Sequence, residues 1–171
     1  MAWIAAHFAR SNGVDAVVPA TADPAVGSLA TLESAIARDF PPDIPFGLGT
    51  SAPRIMAALT AYGLEAAWVH SGAFGATTSR ARSRLTAHLA AGLPAIVCMD
   101  TGGIGGPAFG AHWAIATRLS PHGLSLENVT REDPVQWPAF LASWRCPHLP
   151  LGYNHCALLV RPTREREAAG A

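Results

Sequence analysis

Helical periodicity in the first half of the chain and strand-like runs in the second predict an α+β fold. Glycine or proline stands at most boundaries between them, so helices come first and an antiparallel sheet follows. A chain of 171 residues with 50% hydrophobic content fits one domain, expected over residues 1–163, with the polar segment 164–171 as a disordered tail.

Trp3, Ile4, His7 and Phe8 recur at helical spacing, and Gly13 ends that segment. After a short extended piece over 14–18, Thr21-Ala22-Asp23-Pro24 reads as a helix start, with Asp23 as N-cap and Pro24 in the first turn. That helix carries Val26, Leu29, Leu32 and Ile36 on one face. Pro41, Pro42 and Pro45 make a loop. Gly49-Thr50-Ser51-Ala52-Pro53 then opens a second helix, whose apolar positions are Ile55, Met56, Leu59 and Tyr62 and whose stop is Gly63. A third helix over 79–91 turns Leu85 and Leu89 inward and ends at Gly92; its arginines 80, 82 and 84 scatter around the cylinder as a solvated face. From Pro94 the period changes. Residues 94–99 read as a buried strand, 112–118 as its successor, and Pro121-His122-Gly123 as a tight turn into a strand over 124–129. A helix around 138–144 and a last strand near 156–160 complete the order.

Formal net charge is zero and 14% of residues are charged, so neither nucleic acid nor a membrane surface is an expected partner. All twelve cations are arginine, which removes Schiff-base, pyridoxal-phosphate and Walker-type lysine chemistry. The three cysteines, Cys98, Cys146 and Cys156, form no Cys-x-x-Cys pair, so a disulfide framework is not expected and a reducing cytoplasm is. Cys98, between Val97 and Met99, reads as a small buried apolar residue. Cys146-Pro147-His148 and His155-Cys156 contain zinc-compatible side chains at no finger spacing. No metal or cofactor is expected. The N-terminus has no basic leader, and no apolar run reaches the roughly eighteen residues of a membrane span.

Three segments carry a resemblance: Gly49-Thr50-Ser51 opening a helix that ends in 61–66, the run Leu89-Ala90-Ala91-Gly92-Leu93-Pro94-Ala95-Ile96-Val97, and Gly110-Ala111-His112-Trp113 followed by strand, turn and Leu126-Glu127-Asn128. Together they resemble the papain-like cysteine peptidase fold, in particular its bacteriocin-processing, double-glycine-leader group. The resemblance implies a catalytic histidine at His112 and an orienting carboxamide at Asn128, with Glu127 or Asp133 as the alternative if the register shifts. It also implies a cysteine at the start of the first long helix, where the helix dipole and free amides stabilise a thiolate. That slot holds Ala22, followed by Asp23 and Pro24. The glutamine expected shortly before it, which would complete an oxyanion hole, is absent too: the only glutamine is Gln136.

The chemistry left to such a site is that of histidine, which titrates near neutrality and suits proton transfer. The expected function is therefore a non-proteolytic enzyme using His112, Asn128 and Asp23, with Thr21, Ala22, Gly110 and Trp113 lining the site. Its substrate would be a small-molecule, peptide-like or carrier-bound compound, as in bacterial natural-product biosynthesis. Two alternatives stay open: an inactive peptide- or ligand-binding module, and a cysteine hydrolase or acyltransferase whose nucleophile is substituted by alanine at position 22. Oligomeric state is not legible.

Overall fold

The computed structural model describes residues 38–44, 50–71, 76–100, 102, 111–127, 129, 134–146, 149 and 153–163. The expected elements before Arg38, with Thr21, Ala22 and Asp23, lie outside these residues, as do Gly110, Asn128, Asp133 and the tail from Arg164. Among the described residues the fold is mixed α+β, with three helices and a six-stranded antiparallel sheet. The chain divides into two compact units, residues 1–66 with 161–171, and Ala67–Val160.

In the first unit, helix α1 (Ala52–Ala61) starts where the sequence places it. Ser51 is the N-cap and its hydroxyl accepts from the Arg54 amide, which satisfies one of the free donors of the first turn. Asp43 braces the cap from outside, accepting from the Ser51 amide at 2.7 Å and from its hydroxyl at 2.5 Å. These two bonds hold the Asp43 carboxyl below its ordinary pKa. Ala52, Ile55, Ala58 and Leu59 form the buried stripe, and Gly63 stops the helix at φ +70°, a left-handed conformation that glycine adopts without a side-chain clash.

Strand β1 (Leu64–Val69) follows immediately. The stop at Gly63 matches the sequence, but the sequence places every helix of the first half before the sheet, and a strand intervenes instead. Its Leu-Glu-Ala-Ala-Trp-Val run has little β-branching, and partner strands rather than local propensity make it a strand.

In the second unit, α2 (Ala76–Ala90) buries Ala81, Leu85 and Leu89, four residues apart, and leaves Arg80, Arg82 and Arg84 exposed. The Arg82 guanidinium nevertheless lies 4.5 Å from the centre of the Trp137 ring. Strands β2 (Ala95–Asp100), β3 (Ala111–Leu119), β4 (Gly123–Glu127) and the short β5 (Val135–Gln136) come next, then α3 (Trp137–Ser143) and β6 (Ala157–Pro162). The last strand runs on to Pro162, two residues past the expected 156–160. At the β3–β4 turn Gly123 packs so closely that a Cβ there would collide with the Val135 backbone, which explains why glycine stands in the turn.

The sheet order is β1-β6-β2-β3-β4-β5, so the last strand lies between the first two. Paired residues on neighbouring antiparallel strands share a face. One face carries Ala95, Val97 and Met99 of β2, Ala114 and Ala116 of β3, Leu126 of β4, and Ala157 and Leu159 of β6. All of them join Leu85, Leu89, Phe140 and Trp144 in the main core. The opposite face carries Cys98 and its partner Trp113.

Candidate functional site

His112 is the second residue of β3 and pairs with Met99. It therefore extends the row of Ala116 and Ala114 on the helix-covered face, as a half-buried imidazole at the end of an apolar line. β3 and β4 run antiparallel with Ile115 opposite Glu127, so the chain leaves β4 at the same end of the sheet where β3 begins. This is the end from which Asn128 follows in sequence. Glu127, the other orienting candidate, pairs with Ile115 and so shares the face of Trp113 rather than that of His112. Its Oε2 is buried and has no hydrogen-bond partner among the described residues.

Trp113 and His112 are not brought together. As neighbours on a strand they point to opposite faces, and Trp113 packs against a cluster of three buried thiols, Cys98, Cys146 and Cys156. Trp68, Tyr153 and Leu149 cover the same cluster; the Tyr153 ring lies 5.9 Å from Trp68 and 6.0 Å from Trp113, centre to centre. The indole Nε1 of Trp68 donates to Cys156 Sγ at 3.1 Å, and the Cys98 amide donates to the Cys156 carbonyl at 3.1 Å. Burial pushes the Cys156 thiol up to about 12. Among the described residues, no group of three or more His, Cys, Asp or Glu side chains has a geometry that could hold a metal ion.

A second polar centre borders these thiols. Ser71, just beyond β1, and His155, just before β6, are both buried, and Ser71 Oγ lies 2.7 Å from His155 Nδ1. The Ser71 amide and hydroxyl both reach the Asn154 carbonyl, at 3.0 and 3.2 Å. When the single hydroxyl proton goes to that carbonyl, Nδ1–H donates to Oγ, so the buried pair is satisfied. The His155 amide donates to the Trp144 carbonyl, and the two rings meet edge to face at 5.4 Å. His155 is the one non-glycine residue with positive φ among the described residues, at +49°. Burial, and secondarily the Arg145 cation, lower its pKa, so the ring is neutral at pH 7.

The sequence reading used His155 only as a zinc-compatible side chain and did not single out Ser71. Local sequence carried no signal for this pair, because 84 residues separate the two. No helix among the described residues is long and apolar enough to cross a membrane. Compared with known proteins, the chain matches no family model, no curated protein and no solved structure.

Proposed function

We propose that the chain is a non-proteolytic enzyme on a papain-like scaffold, in which His112 performs acid/base catalysis on a small-molecule or carrier-bound substrate of the kind met in bacterial natural-product tailoring. The observation that carries this reading is the position of His112. A half-buried imidazole ends an otherwise apolar row, at the sheet end where β3 starts and β4 finishes. An imidazole there takes a proton from an attacking group and returns it to a leaving group, and a carboxamide at Asn128 would hold its tautomer. The resemblance assigns Ala22 and Asp23, at the expected helix start, to the place a thiol nucleophile would take. Proteolysis by a cysteine at position 22 is excluded by the residue itself.

The test is turnover of a panel of acyl thioesters, esters and amides, followed by mass spectrometry, in the wild-type chain and in His112→Ala. The expected loss is about 10²–10⁴-fold, the range of a general acid/base. Equal turnover by the variant would overturn the role of His112. Binding of a panel member without conversion would favour the inactive ligand-binding module instead.

A further inference from the structure

The three thiols sit in one cluster, although they come from β2, from the segment after α3 and from the approach to β6. Their environments differ. Cys156 has its sulfur engaged by the Trp68 indole and its carbonyl bonded by the Trp144 indole at 2.8 Å and by the Cys98 amide, so it is fixed on several sides. Cys98 is held in the middle of β2 between β6 and β3. Cys146 lies on irregular backbone beyond the end of α3, and its sulfur is 3.8 Å from the Cys98 carbonyl, a long and weak contact. The adjacent Cys98 side chain draws Cys146 toward the thiolate, whereas Cys146 and burial keep Cys98 protonated. The covering side chains Trp68, Trp113 and Tyr153 are only partly buried, so the cluster lies one side chain below the surface.

We propose that Cys146 and Cys98 form an oxidative modification site, a dithiol that hydrogen peroxide converts to a Cys98–Cys146 disulfide, with Cys146 attacking first. The Cys146 sulfur attacks one peroxide oxygen, the O–O bond breaks, and the departing hydroxide leaves as water with the thiol proton, giving a sulfenic acid. The Cys98 sulfur then attacks the Cys146 sulfur. The S–S bond forms, the S–O bond breaks, and hydroxide takes the Cys98 proton as a second water. The sulfur pair loses two electrons and the peroxide gains them. Cys156 remains a thiol because its sulfur is occupied by the Trp68 N–H and its backbone is pinned.

The experiment treats the purified full chain with limiting hydrogen peroxide, blocks remaining thiols in denaturant, and maps cysteines by peptide mass spectrometry. The expected result is one Cys98–Cys146 crosslink, with Cys156 recovered in the blocked form. In Cys146→Ser the Cys98 thiol should survive the same peroxide treatment, since the thiol that attacks first is gone. In Cys156→Ser the crosslink should persist. A crosslink that includes Cys156 would overturn the proposal, as would full recovery of Cys98 and Cys146 under peroxide that consumes free glutathione. The wild-type map needs no variant, so a variant that misfolds leaves the test standing.

Discussion

The helix-covered face of the sheet and the face that carries the thiols are made from alternate residues of the same strands, yet they differ in chemistry. Val97 and Met99 look toward Leu85, Leu89 and Phe140, whereas Cys98, between them, looks toward Cys146, Cys156 and Trp113. Aliphatic packing on the first face supplies cohesion and offers little to react, apart from His112 where its row ends. The second face adds polarisable sulfur, indole N–H groups and a phenol to its own aliphatic row of Ile96, Ile115 and Leu158. Period-two alternation thus gives neighbouring residues of one strand different surroundings.

The difference can be broken most sharply from the helix side. Leu85 is fully buried, and Leu85→Ala should cost about 2–5 kcal/mol, read as a lowered urea midpoint with an unchanged slope. A loss below about 1 kcal/mol would mean that the helix face does not carry the stability assigned to it. Ser71→Ala, at the polar pair packed on Trp144, removes a hydrogen-bond partner from the buried Nδ1 of His155 and should cost about 1–3 kcal/mol.

The same pair carries a pH signature. The pKa of folded His155 is depressed, so the unfolded chain takes up the proton first. The stability contributed by the neutral ring is therefore full above about pH 6.5, and it is lost as pH falls from there through the lower folded value. His155→Asn tolerates the positive φ and should flatten that part of the stability profile; an unchanged slope would assign the titration to another group. The smallest effect is expected at the surface, where Arg82→Ala removes an exposed cation–π contact with Trp137 worth about 0.5–1 kcal/mol in thermal unfolding.

What could be read from the sequence was local. A cap within 49–53 for α1, Gly63 and Gly92 ending helices, and a buried strand over 94–99 all follow from residue type and period, and all are present, the strand at Ala95–Asp100. The burial of Cys98 was legible for the same reason. β1 was not, because its alanines favour helix and only strand pairing overrides them. Nor was the meeting of Cys98 with Cys146 and Cys156, or of Ser71 with His155, since each joins distant segments with no shared motif. Of the expected site, His112 and Trp113 fall on described strand, and alternation alone foretold that they face apart.

The sheet order has a temporal consequence. β2, β3, β4 and β5 follow one another in sequence and in space, so they can zip together as the chain emerges during synthesis. β1 is made before all of them, yet its neighbour β6 is made last. Until β6 arrives, β1 has no strand to pair with and β2 has one open edge, which makes the nascent chain most exposed to wrong pairing in that interval. A slow final insertion step, and dependence on a holding chaperone before it, would be the cellular signature of that order.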